Sequence, residues 1–268
     1  MAVFRARAVA VAAGVPAAFA LLAGLLTVAS PMTVATAAEP RSVPAGVSAD
    51  VSAAVPAATW SVTRDLVRSS RPPMSVSFSV RSADPVAFIT IDDGVTKDAR
   101  GLRFVEENQL PVTAFVSAWT VKDRARYFQR ITRWGSVQNH SATHASLARS
   151  STDLDHEICY TQRMLAAAFG TKPWMLRPPY GAGYNRQETQ VTAARCGISE
   201  FVMWDAVVED GRLSTVGNDL RPGAVVLLHF TPRLEKDLKA AVKAMRKAGL
   251  TPANLADYLP PAPSAPAP

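Results

Sequence analysis

An α/β fold built on one parallel sheet is what this sequence predicts, and three observations carry it. Short apolar runs alternate with amphipathic stretches from residue 86 to residue 248, the rhythm of parallel strands joined by crossover helices. Polar residues gather just after the apolar runs, where the C-terminal strand ends of such sheets carry function. Proline- and alanine-rich segments bracket the region and leave one domain at 82–259. An open doubly wound sheet and a closed or partly closed barrel both satisfy the pattern, although the span is short for a complete eight-fold barrel of about 250 residues.

The elements follow in order. The run 86–91, VAFITI, reads as a strand buried on both faces that delivers Asp92, Asp93 and Gly94 at its end. An amphipathic stretch at 98–109 leads to a strand at 112–117, whose end offers only Ser117. A second helix at 121–134 precedes the short strand 136–139 and then His140 and His144. Helix 151–169 is followed by strand 174–177, which ends in Arg177 and the turn to Gly181. Helix 185–196 returns to strand 200–204, with Asp205 and Asp210 after it, and strand 224–230 carries His229 near its end before a last helix at 234–248.

Composition sets the surroundings of this domain. With 268 residues and 48% apolar content the chain can bury a sizeable core. Arg5 and Arg7 precede an uncharged run to Val28, and small residues lead to Ala37 and Ala38, so 1–38 reads as a secretory signal, with a retained membrane anchor as the alternative. Residues 39–81 read as a Pro/Ala/Ser-rich linker with one strand or short helix near its end, and 260–268 as a Pro/Ala tail. The net charge of +7 favours proximity to anionic polymers such as cell-wall material, but no basic run with interleaved aromatics argues for nucleic acid. Cys159 and Cys196 are an even pair in helices of consecutive βα units; in an exported chain they fit one disulfide, with two buried thiols as the alternative.

Two adjacent carboxylates near a core repel one another and lose solvation, so Asp92 and Asp93 call for a cation. If His140 and His144 occupy a helical turn, their i, i+4 spacing places both imidazoles on one face, at a separation that suits one metal ion. Two imidazoles and one carboxylate suit catalytic zinc with open positions for water and substrate, and the same set serves non-haem iron.

Four short motifs then come into line. Thr90-Ile91-Asp92-Asp93, His140 to His144, Arg177-Pro178-Pro179-Tyr180 and Leu227-Leu228-His229 resemble, in order and in place, the motifs of the NodB-type polysaccharide deacetylases, carbohydrate esterase family 4. The resemblance runs from Pro85 to about Leu259 and implies a distorted (β/α)7-type barrel. It implies that Asp93, His140 and His144 bind the metal, Zn2+ or another divalent ion such as Co2+ or Ni2+. It implies Asp92 as general base held beside Arg177, His229 as general acid, the Tyr180 N–H as an oxyanion donor, and Leu227 and Trp204 beside the acetyl group. The family's D-x-x-D-W run corresponds here to Val207 to Gly211, so that Gly211 stands in place of the Trp and either Asp210 or Asp205 would orient His229. Val95 replaces the proline that usually follows D-D-G. The activity implied is hydrolysis of N-acetyl groups on an acetylated glycan, with O-acetyl xylan esters or plain glycan binding as alternatives. An extracytoplasmic monomer, not inserted in a membrane after signal cleavage, is expected.

Overall fold

Strand β2, Val86–Asp93, lies at the heart of the sheet in the computed structural model, which describes residues 74–217 and 219–262. Ala87, Ile89 and Ile91 face outward beneath helices, whereas Phe88 packs inside and Thr90 and Asp92 bond to an interior arginine, so both faces of the strand are buried. Sequence patterning alone ends this strand at Ile91. Pairing on both sides carries it two residues further, because Asp92 and Asp93 continue the ladder with Phe115 and Val116.

Parallel neighbours flank β2: β3 (Val112–Val116) on one side and β9 (Ala224–His229) on the other. From β3 the parallel order runs through β4 (Ser136–Asn139), β5 (Met175–Leu176) and β6 (Glu200–Val202) to β1 (Ser75–Ser77). Just past β1, Ser79 forms an antiparallel bridge with Ala224, and the Val80 N–H donates to Gly223 O at 2.8 Å. That seam joins β1 to β9 and closes a distorted (β/α)7-type barrel of β1, β6, β5, β4, β3, β2 and β9. A Cβ on Gly223 would stand 1.8 Å from Val80 O, and φ is +84°, so the seam requires glycine there. The strand near the end of the 39–81 stretch is therefore β1 itself. The leader expected at 1–38 and most of the linker lie outside the described residues, as does the tail beyond residue 262.

The outer layer consists of α1 (Ala99–Glu107), the short α2 (Ala118–Val121), α3 (Ala125–Ile131), α4 (Thr161–Phe169), α5 (Gln187–Arg195) and α6 (Leu234–Lys247). In α6 the buried residues Leu234, Leu238, Ala241, Val242 and Met245 recur on one stripe. Asp98 caps α1 through Arg100 N at 3.1 Å and reaches Glu235 N in the first turn of α6 at 3.3 Å. Phe88, Phe115, Met175, Val202 and Val225 fill the barrel, closed by Leu255 of α7 (Leu255–Tyr258). Among the described residues no helix is long and apolar enough to cross a membrane.

Two local features depart from the sequence reading. The run after β6 folds back as a hairpin, β7 (Ala206–Glu209) and β8 (Arg212–Thr215), around an Asp210-Gly211 turn with φ of 52° and 74°, the type I′ geometry that Asp-Gly favours. The stretch 151–169 begins not as an α-helix but as a wider π turn, Asp155–Tyr160, which runs into α4. That turn holds Cys159, and a disulfide joins it to Cys196 at the end of α5, with Cα atoms 5.2 Å apart and a sequence separation of 37. Replacing both by Ala should cost about 4 kcal/mol in urea unfolding from the loop-closure entropy of a loop this long. A loss below about 1 kcal/mol would mean that the two elements hold each other without the bridge.

Candidate active site

The inward-facing residues near the C-terminal ends of the strands are polar, and they meet around Arg177. Its guanidinium, fully buried after β5, donates from Nη1 to Asp92 Oδ1 at 2.7 Å and Thr90 Oγ1 at 2.9 Å. Nε and Nη2 donate to the carbonyls of Val202 and Met203, each at 2.9 Å. The plane lies over the Phe115 ring at 4.3 Å. Burial pushes the guanidinium below its ordinary pKa while the Asp92 carboxylate opposes the shift. One side chain thus ties β2, β5 and β6 together and commits one oxygen of Asp92.

Asp93, the next residue, is left with the opposite problem. Its Oδ1 lies 3.3 Å from His140 Nε2 and 3.1 Å from His144 Nε2, yet it is buried and has no hydrogen-bond partner among the described residues. His140 Nδ1 lies 2.7 Å from the Arg177 carbonyl, an acceptor, so the ring proton sits there and Nε2 presents a lone pair. A carboxylate oxygen and two imidazole nitrogens converge, all within 4.8 Å of one another, which is the arrangement a divalent cation completes. With no cation there, burial alone would raise the Asp93 pKa, but hydrogen bonds from His140 and His144, once their Nε2 atoms carry protons, hold it well below the usual carboxylate range. The Asp93 carboxylate in turn raises the His144 pKa above its ordinary value, against partial burial.

The two histidines are not on a helix. The loop that carries them has left-handed backbone at Ser141 (φ 69°) and His144 (φ 65°), which no helical turn tolerates, so the two imidazoles are brought together by a geometry other than the i, i+4 turn expected. Ser141 N–H donates to Asn139 Oδ1 at 2.8 Å and His144 N–H to Ser141 Oγ at 3.0 Å, and the ring centroids end 5.0 Å apart. Asp93 (φ 78°) and Tyr180 (φ 60°) are also left-handed, so four strained residues surround one point.

The remaining candidates take their places on the same rim or fail to. His229 ends β9 directly opposite Asp92 in the ladder, and Leu227, buried, lies opposite Thr90 two residues below it on the same inner face. Tyr180 follows the prolines, its ring edge-on to His144 at 4.7 Å; the bonds of its turn come from Gly181 and Ala182, which leaves its own N–H out of the turn. Trp204 lies nearby, with Arg177 5.6 Å from its ring and Gly181 against its edge.

Asp210 is not brought to His229. It sits at the exposed tip of the β7–β8 hairpin and pairs with Arg233, which lowers its pKa. Asp205 accepts the Val225 N–H at 2.8 Å, four residues before His229 and so about 13 Å away along the strand. Burial raises its pKa. Neither carboxylate orients the histidine. Sequence reasoning also missed Glu157, 4% exposed in the π turn, whose carboxylate accepts from the loop between the two histidines. Three acceptor-hungry groups in consecutive loop residues leave no trace in sequence spacing.

Residues 79–200 match the family model described as polysaccharide deacetylase. The chain is 34% identical over 209 residues to an uncharacterised protein of Streptomyces coelicolor, covering 73% of this chain and 81% of that one. It is 30% identical over 156 residues to a chitooligosaccharide deacetylase of a Bradyrhizobium species, covering 53% and 69%. Among solved structures it resembles a CE4 family pseudoenzyme from Bacillus anthracis with a TM-score of 0.58 and 21% identity, over 70% of each chain, a likeness of fold. With the motifs, the barrel and these relatives in agreement, the chain belongs to the polysaccharide deacetylase family.

Proposed function

We propose that the protein is an exported, metal-dependent hydrolase that removes N-acetyl groups from a glycan, either cell-wall peptidoglycan or a chitin-like oligosaccharide. The observation that carries this reading is the buried Asp93 Oδ1, without a donor, facing the Nε2 atoms of His140 and His144. The leader-like residues 1–38 support export.

Asp93, His140 and His144 would hold zinc, or Co2+ or Ni2+ in its place. Such an ion, when bound, supplies Lewis acidity toward the acyl oxygen and lowers the pKa of water. Asp92, aimed by Arg177, accepts the proton of the attacking water. The Tyr180 N–H, fixed by the left-handed turn, donates to the developing oxyanion. His229, across the ladder from Asp92, hands a proton to the departing amine, which is too basic to leave without one. Leu227 and Trp204 flank the space for the acetyl methyl.

One observation favours a second reading. Among the described residues no carboxylate bonds to His229 to fix its tautomer, Asp210 being held by Arg233, and a less well-held acid suits acetyl esters, whose alkoxide leaves more readily than an amine. The test uses acetylated chito-oligosaccharides and acetylated xylan side by side. Acetate release should fall to background with a chelator and return on adding Zn2+ or Co2+. Release from xylan alone would assign the esterase. Saccharide binding without acetate from either polymer would make the protein a non-catalytic relative.

A further inference from the structure

The loop between the two metal-binding candidates is gripped from both of its edges. Its carbonyls at Ser141 and Ala142 accept from Ala118 N and Trp119 N of α2, at 3.0 and 3.2 Å. On the other edge a single carboxylate does the work. Glu157 Oε2 accepts from Ala142 N at 3.0 Å and Thr143 N at 2.9 Å, while Oε1 accepts from Thr143 Oγ1 at 2.7 Å. These are residues two and three of the four-residue step from His140 to His144. The backbone there is left-handed on either side of them, at Ser141 and His144, so it cannot supply its own helical bonds and rests on outside acceptors.

The π turn explains why a glutamate can reach. Glu157, Ile158 and Cys159 are consecutive and all buried, each toward a different neighbour: Glu157 to the histidine loop, Ile158 into the cluster with Leu147 and Leu176, and Cys159 to its disulfide with Cys196. An ordinary helical turn rotates such residues away from one another's side; widened turns of this type recur where function needs a side chain re-aimed. The backbone at this point is clamped from outside by the disulfide and from inside by the core, so the carboxylate is carried on a rigid base. Nothing about an acidic residue buried for stability alone requires it to satisfy three donors of one loop.

We infer that Glu157 is a positioning residue: it sets the separation and aim of the His140 and His144 imidazoles and thereby the affinity of the site for a divalent ion. The inference rests on the reading of Asp93, His140 and His144 as a metal centre. It adds a dependence on a residue that touches neither the ion nor substrate. Glu157→Ala leaves two N–H groups and a hydroxyl without a partner, whereas Glu157→Gln can still accept from both N–H groups, with Thr143 Oγ1 turning to accept from the amide.

The experiment is titration of the metal-free protein with Co2+, following the visible absorption of the bound ion and measuring affinity by competition with a chromogenic chelator, with circular dichroism to confirm folding at the assay temperature. Wild type is expected to take up one Co2+. Glu157→Ala should bind about 10- to 100-fold more weakly with an altered absorption band, and Glu157→Gln should recover to within about threefold of wild type. Should Glu157→Ala not fold, Glu157→Asp, which keeps the charge and withdraws it by one methylene, should weaken binding by about tenfold. Affinity within about twofold of wild type with an unchanged band, in a folded Ala or Asp variant, overturns the inference and leaves the metal centre standing. A Gln variant as weak as the Ala variant also overturns it. A wild-type protein that takes up no Co2+ sinks the metal centre and this inference with it.

Discussion

Asp92→Asn is expected to cut acetate release by about 10²- to 10⁴-fold, the usual worth of a positioned general base, while leaving the metal content of the protein unchanged. The separation follows from geometry. Asp92 spends Oδ1 on Arg177 at 2.7 Å, and its Oδ2 stands 3.8 Å from His140 Nε2, farther than the 3.3 Å of Asp93 Oδ1. The amide oxygen of asparagine can still accept from Arg177, so the rim keeps its shape and loses only the group able to take a proton. Metal analysis and acetate assay on the same preparation decide the matter. Activity within about threefold of wild type removes Asp92 from the base role, and loss of metal together with activity reassigns it to the metal site.

Arg177→Met should have the largest effect on stability, about 3–5 kcal/mol in urea unfolding, as found when one partner of a buried ion pair is removed. Methionine fills much of the same volume, so a cavity is not the cause. The cost comes from what is abandoned inside the barrel: the Asp92 carboxylate, the Thr90 hydroxyl and the carbonyls of Val202 and Met203 all lose their donor at once. Arg177→Lys should recover only part, because an ammonium cannot present the fork that reaches β2 and β6 together. Since whole domains are stable by about 5–15 kcal/mol, the Met variant should be marginal at growth temperature. A midpoint shift worth less than about 1 kcal/mol would show that the network carries far less than its burial implies.

What the sequence made legible, and what it hid, divides by the range of the interaction. Strands 86–91 and 224–230 are apolar enough to announce themselves, and the residues at their ends lie on the barrel rim because parallel strands put all their C-termini on one side. The run through Asp210 misled for a local reason: Val207 to Glu209 followed by Asp-Gly is a hairpin signal, and matching it to a motif placed at the site a carboxylate that the turn carries out to Arg233. Spacing points to the histidine pair, but the conformation of its loop depends on Glu157 and α2, whose bonds to it span 14 to 23 positions. The separate fates of the two aspartates also needed the fold, because Arg177 selects Asp92 only once β5 lies across the barrel from β2.

The seam at Ser79 has a practical bearing. Trimming the chain at Ser82, where composition places the domain edge, would remove β1 and the Val80 N–H that stitches to Gly223. Two hydrogen-bonding margins, on β6 and β9, would then gape at each other across an opening lined by Val202 and Val225. Such margins seek out strands from other molecules, and the shortened protein would be lost to clumping before its chemistry could be measured.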